Sequence, residues 1–231
     1  MAGSAELKRV GLLGAAFDPP HFGHLLLAQL ALETGDLDEI WLMPCPDRWD
    51  KKPVATGQQR SRWLEQMLSH CPPQLRSQLR INQFELNQSV YRGTHWLVTQ
   101  LRGMNPANTF SLILGWDSFV SVPAWRDPST GTMNGNALLE STHCFVSPRA
   151  TASIASVPHP EHHQGGVSIL PALDSIDPQS IGWMEGVGPI QVSALSSSLV
   201  RAAVAEKKVL QFNFADVQEA IVKSGAYSSS V

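Results

Sequence analysis

Two histidines, His21 and His24, stand three positions apart in the stretch Gly14-Ala15-Ala16-Phe17-Asp18-Pro19-Pro20-His21-Phe22-Gly23-His24. At a helix start that spacing lets both imidazoles address one bound group. The apolar run Val10 to Leu13 precedes the stretch and reads as a buried strand; the Leu- and Ala-rich segment Phe22 to Thr34, closed by Gly35, reads as a capped helix. A strand, a glycine-containing loop and a helix N-terminus make an anion site. The first N–H groups of the helix lack intrahelical partners, and the positive end of its dipole faces the loop. The chemistry suggested is a phosphate cradle carrying two imidazoles. Metal ligation by the pair is the competing reading, but zinc takes three or four ligands and no His-Glu-x-x-His or Cys-x-x-Cys accompanies them. His159, His162 and His163 lie in a Ser-, Pro- and Gly-rich stretch and read as a histidine-rich loop in preference to a metal cluster.

A second grip lies near the C-terminus, in Ser196-Ser197-Ser198-Leu199-Val200-Arg201. Ser196 or Ser197 can cap a helix running through Ala205, with Arg201 within a turn of its positive end. Hydroxyls, backbone N–H groups and a guanidinium fork would then converge on phosphate oxygens. A plain capped helix with a surface arginine is the bland alternative. A hydrolytic serine is not indicated, since no Gly-x-Ser-x-Gly elbow is present.

Together the two segments resemble the paired signatures G-x-x-F-D-P-x-H-x-G-H and S-S-T/S-x-x-R of nucleotidyltransferases, in the same order. The resemblance implies that Gly14, Ala15, Phe17, Ser196, Ser197 and Ser198 bind ATP, with magnesium on the triphosphate, and that His21, His24 and Arg201 are catalytic. One branch fits best, the nicotinate-nucleotide adenylyltransferases. Leu114-Gly115-Trp116-Asp117 is similar to its L-I-G-A-D, which implies that Asp117 holds a ribose. Trp125 is similar to its tryptophan that stacks on the pyridine ring, a sound pairing of an electron-poor ring with an indole. Lys51 falls near the lysine of P-P-H-K, and Thr94 in the region of S-Y-T-x-D-T, so both join the expected substrate-binding set. Phe145 to Arg149 is similar to V-V-x-P-R, and Phe212 to Tyr227 to a closing helix. The sequence departs from the pattern at Ala15, Ala16, Asp50 and Trp116.

The implied activity is adenylyl transfer from MgATP to nicotinate mononucleotide, giving deamido-NAD and pyrophosphate. Such a transfer needs alignment and charge neutralisation more than covalent help. Nicotinamide mononucleotide or another phosphorylated acceptor is an alternative, as is a catalytically silent ATP-binding protein, which Ala15, Ala16 and Asp50 would suit.

The elements that must position these residues alternate along the chain. Strand-like runs at Ile40–Met43, Arg80–Leu86, Phe110–Leu114, Cys144–Val146 and Val167–Leu170 alternate with helical spacing at Gln58–His70 and from Thr94, which can cap its helix, to Arg102. Asp117 could likewise cap a helix after Gly115. Residues 150–190 break the pattern and read as long loops or an insertion. The expected fold is a single α/β domain over 1–231, a Rossmann-like parallel sheet with helices on both faces and function at the carboxyl ends of the strands.

The 231 residues, 43% of them hydrophobic and 16% charged, suit an ordinary globular core. A net charge of −3 disfavours nucleic acid as a partner, and no long apolar span suggests a membrane. Three dispersed cysteines, Cys45, Cys71 and Cys144, and a start without signal-like character point to the cytoplasm. Expected partners are therefore ATP and a pyridine mononucleotide, with room for a homo-oligomer.

Overall fold

The computed structural model describes residues 7–46, 53–148, 163–176, 181–184, 195–208 and 210–228. In chain order the elements are β1 (Arg9–Ala15), α1 (Phe22–Glu33), β2 (Glu39–Pro44), α2 (Gly57–Ser69), α3 (Pro73–Ser77), β3 (Leu79–Ile81) and α4 (Thr94–Met104). Then follow β4 (Thr109–Gly115), α5 (Trp116–Ser121), α6 (Gly135–Ser141), β5 (Cys144–Ser147), β6 (Val167–Ile169), α7 (Ser197–Ala205) and α8 (Ala215–Lys223). The six strands form one sheet in the order β3-β2-β1-β4-β5-β6, and every pairing in it is parallel. That is the doubly wound order, in which successive strands are added first on one side of β1 and then, from β4 on, on the other.

Successive side chains of a strand point to opposite faces, and here both faces are dry. Leu13, Ile40, Leu42, Ile113 and Phe145 enter one core, against Leu25 and Ala28 of α1 and Leu64 and Met67 of α2. Their neighbours Val10, Leu12, Trp41, Met43, Leu112, Leu114 and Val146 enter the other, against Leu97 and Leu101 of α4 and Leu138 and Leu139 of α6. Helices therefore cover both faces, as a parallel sheet of near-continuous apolar strands requires. Helix α1 is apolar almost all round because its far side is also covered: Phe22, Leu26 and Leu30 pack against Ile181 and Met184.

Some sequence expectations change. The third strand is Leu79–Ile81, shorter than Arg80–Leu86, because the Asn82 side chain accepts the Phe84 N–H at 2.9 Å and turns the chain out of the sheet. Thr94 does not cap α4; Gly93 does, at φ 84°, a left-handed conformation that suits glycine. Asp117 is the second residue of α5, and Gly115 is its cap. The closing helix is α8 alone, and α3 and α6 carry no sequence signal strong enough to read. Of the 150–190 stretch, the described residues supply β6 and short turns at Leu173–Ser175 and Gly182–Met184.

Candidate active site

The site begins where two strands part. β1 and β4 are paired only as far as Leu12 and Leu112. Beyond them Leu13–Ala15 pairs with β2, and Ile113–Gly115 with β5. The central strands thus open a crevice at their carboxyl ends, at the point where strand order reverses. A Cβ built at Gly14 or at Gly115 would meet nothing within 4 Å, so both strand ends present bare backbone to open space.

On one lip lies the loop from Ala16 to Pro20, leading into α1. Phe17, fully buried, sits at φ 50°, a conformation that bulky residues avoid and that costs about 1–3 kcal/mol, offset here by the packing that imposes it. Its ring lies 4.8 Å from that of His24. His21 caps α1, and its backbone N–H donates to Nδ1 of His24 at 3.2 Å. An Nδ1 that accepts leaves the proton of the neutral His24 ring on Nε2, as a donor. The two imidazoles lie against each other at a tilt, centroids 3.8 Å apart and ring planes 34° apart. A Cβ at position 23 would come within 3.0 Å of His21 Nδ1, so Gly23 is what lets the ring lie against the helix. His21 is buried, and burial first, then the neighbouring His24, hold its pKa well below the ordinary imidazole value. It is therefore neutral near pH 7 and acts as a dipole, not a cation. Its Nδ1 is enclosed without a hydrogen-bond partner, an unsatisfied group of the kind a ligand or water completes.

The start of α7 is tied to this loop. Ser196 caps the helix, its hydroxyl accepting the Leu199 N–H at 3.1 Å. Ser197 donates its hydroxyl to the Pro19 carbonyl at 3.0 Å. Arg201 donates from Nη1 to the Asp18 carbonyl at 2.7 Å and from Nη2 to the Ser198 hydroxyl at 3.0 Å. The serine run therefore docks one helix N-terminus beside the other, with Arg201 partly exposed at the junction and most of its five donors still uncommitted.

The other lip is a narrow cleft of about 100 Å³. Gly14, Ala15, Thr94 and Trp125 all line it, together with Cys45, Glu85, Tyr91 and Ser118. Trp125 is half-buried, fixed by its indole N–H donating to the Ser121 hydroxyl at 3.0 Å. The loop leading into Thr94 is seated on the loop after Trp125, since a Cβ at Gly93 would lie 3.2 Å from the Arg126 carbonyl. Asp117 is exposed at the first turn of α5, one residue before Ser118 of the lining. Trp116 packs its ring beside Phe119 on the core and does not line the cleft. Lys51, Asp50, Arg149, His159 and His162 fall outside the described residues.

Some residues that build the site were not singled out from sequence. Arg60, 1% exposed, donates to the carbonyls of Ala16, Cys45 and Ala55 and so pins the loops after β1 and β2 together. Asp18 is 2% exposed and accepts from the N–H groups of Val54 and Ala55 and from the Tyr227 hydroxyl. Asn213 donates to the Pro20 carbonyl at 3.0 Å. Asp18 was visible in the motif without a role; Arg60 looks like any helix-face arginine. Among the described residues, no cluster of three or more His, Cys, Asp or Glu side chains could hold a metal ion.

Comparison with known proteins agrees with this geometry. The cytidylyltransferase-like family model matches residues 12–203, which include both motifs. A protein of Halalkalibacterium halodurans named "Probable nicotinate-nucleotide adenylyltransferase" is 34% identical over 122 residues, 52% of this chain and 57% of that protein. One of Bordetella avium with the same name is 33% identical over 125 residues, 54% and 59% of the two chains. The matches thus span somewhat over half the length of these relatives. In fold, the chain superimposes on the Plasmodium falciparum nicotinic acid mononucleotide adenylyltransferase complexed with NaAD, with a TM-score of 0.75 at 16% identity, over 95% of this chain and 97% of that one. The same enzyme complexed with APC gives 0.71 at 15%, over 95% and 97%. With the family match spanning most of its length, the chain belongs to the cytidylyltransferase-like family.

Proposed function

We propose that this protein transfers an adenylyl group from MgATP to nicotinate mononucleotide, forming deamido-NAD and releasing pyrophosphate. One observation carries the reading: the parting of β1 and β4 sets an anion-binding helix pair on one lip of the crevice and an indole-walled cleft on the other. The relatives' names and the ligand named with the Plasmodium structure are of the same kind.

In this reading the triphosphate lies across the N-termini of α1 and α7. Gly14, Ala15 and Phe17 supply close backbone; Ser196, Ser197 and Ser198 supply first-turn N–H groups; Arg201 and the Nε2–H of His24 neutralise charge that develops as pyrophosphate leaves. His21, neutral and lying against His24, orients that ring. The mononucleotide places its pyridine ring against Trp125, with Asp117 toward a ribose and Thr94 and Lys51 at the substrate side. Its phosphate oxygen attacks the α-phosphorus in line with the leaving oxygen. Asp18 is engaged by three donors and, among the described residues, no carboxylate cluster is present to hold a metal, so magnesium would arrive on the nucleotide rather than on a protein cage. Bound there, it would shield the phosphate charges.

A second acceptor has a specific observation in its favour. Among the described residues, the cleft lining includes the carboxylate of Glu85 and no Lys, Arg or His, which suits the amide of nicotinamide mononucleotide. Pyrophosphate release with MgATP and each mononucleotide in parallel tests both: fast release with one identifies the acceptor. ATP binding with release from neither would leave a silent nucleotide-binding protein. We place the protein in the cytoplasm, in keeping with three buried cysteine thiols that form no disulfide; among the described residues no helix is long and apolar enough to cross a membrane.

A further inference from the structure

We propose that Tyr227, near the C-terminus, is a positioning residue for the phosphate site, acting through Asp18 to keep Arg201 available to the nucleotide. The proposal rests on the reading that the triphosphate lies at the loop between β1 and α1.

The family match ends at residue 203, yet the chain beyond it touches that loop repeatedly. The Phe22 N–H, at the first turn of α1, donates to the Phe212 carbonyl at 2.9 Å. Asn213 reaches the Pro20 carbonyl, and Tyr227 donates its hydroxyl to Oδ1 of Asp18 at 2.6 Å. The Tyr227 ring is 5% exposed and packed among Ala55, Trp63 and Val200, so water does not compete for that hydroxyl.

Asp18 is a buried carboxylate beside a site that must accept anions. Left unbalanced, it would repel phosphate and draw in the nearest cation. Ala55 N–H and Tyr227 satisfy Oδ1, and Val54 N–H satisfies Oδ2. Arg201 Nη1 is consequently not closed onto the carboxylate: it lies 3.7 Å from Oδ2 while donating to the Asp18 carbonyl at 2.7 Å. Tyr227 is the one side-chain hydroxyl in this set, and a neutral donor lowers the demand of Asp18 without adding a charge of its own. Remove it and Oδ1 loses a charge-assisted bond, which Arg201 is placed to replace by turning inward, away from the phosphates.

Tyr227→Phe keeps the ring and deletes only the hydroxyl. Calorimetric titration with magnesium α,β-methylene-ATP, alongside steady-state turnover, should show Kd for the analogue and KM for ATP raised about tenfold, the size of one hydrogen bond to a charged group. KM for the mononucleotide should stay within about twofold, since Trp125 and Thr94 do not touch Tyr227. A lowered melting temperature with unchanged analogue affinity, or equal losses toward both substrates, would overturn the proposal in favour of a structural role. Should the variant not fold, 3-fluorotyrosine at position 227 retains the hydroxyl: its fluorine resonance should move on adding the analogue, and an unmoved resonance overturns the proposal. Wild-type protein that binds the analogue but releases no pyrophosphate would sink the proposed activity while leaving the affinity comparison intact. Wild-type protein that does not bind it would sink the phosphate-site reading and this proposal with it.

Discussion

The imidazole pair does two jobs with one contact. His24 is half-buried, with Nδ1 occupied by the His21 backbone N–H, so its remaining nitrogen is a donor directed by the fold. If that donor meets charge developing in the transition state, His24→Ala should lower kcat by about 10²-fold or more, with a smaller effect on ATP affinity; single-turnover kinetics would expose an intact rate and remove His24 from the mechanism. His21 makes a separate prediction about stability. Its pKa in the folded protein lies well below the ordinary value because it is buried. As pH falls below about 6.5, the unfolded chain takes up a proton that the folded chain refuses. Stability is therefore lost on acidification, by at most about 1.4 kcal/mol per pH unit from this group, until the folded pKa is reached. Denaturant melts of wild type and His21→Gln between pH 7 and pH 5 should show the shallower pH dependence in the variant; parallel slopes would contradict the assignment.

The two helices proposed to grip anions are not capped alike. α1 begins with His21, whose backbone N–H donates to the His24 ring, while α7 has an ordinary serine cap in Ser196. Ser196→Ala should cost about 1 kcal/mol of stability, the usual value of such a cap. It should also weaken ATP binding, because a frayed first turn no longer holds Ser197 to Pro19 or Arg201 to Asp18. Thermal unfolding and nucleotide titration on the same sample separate those effects; loss of stability with unaltered affinity would detach α7 from the phosphate site. At this scale sequence reading did well wherever an element is defined by its own neighbours. α1, α2, β1, β2, β4 and the Ser196 cap all follow from local periodicity and cap residues. It failed at β3, where a single Asn82 side chain ends the strand, and at Thr94, where a glycine outside the periodic run takes the cap.

Across the whole molecule, the proposed nucleotide site is held together by segments far apart in the chain. ATP should therefore stabilise the fold as a unit. At 100 times its Kd a ligand confined to the native state adds about 2.7 kcal/mol. For a chain of this size that is a rise in Tm of roughly 5–10 °C. Differential scanning fluorimetry with and without MgATP checks it, and no shift at saturating nucleotide would argue against a formed site.

What the sequence by itself determined were the relations that span a turn or so: the pairing of His21 with His24, Ser196 ahead of Arg201, a glycine at the end of a buried strand. These are legible because helix and strand geometry place residues a few positions apart by rule. The tertiary structure alone decided what those groups rest on. Arg60 meets Ala16 from 44 positions away, Asn213 meets Pro20 from 193, and Tyr227 meets Asp18 from 209. No local rule relates such residues. Only the order of the strands brings them together, and with it comes the parting of β1 from β4 that opens a crevice at the carboxyl ends of the strands.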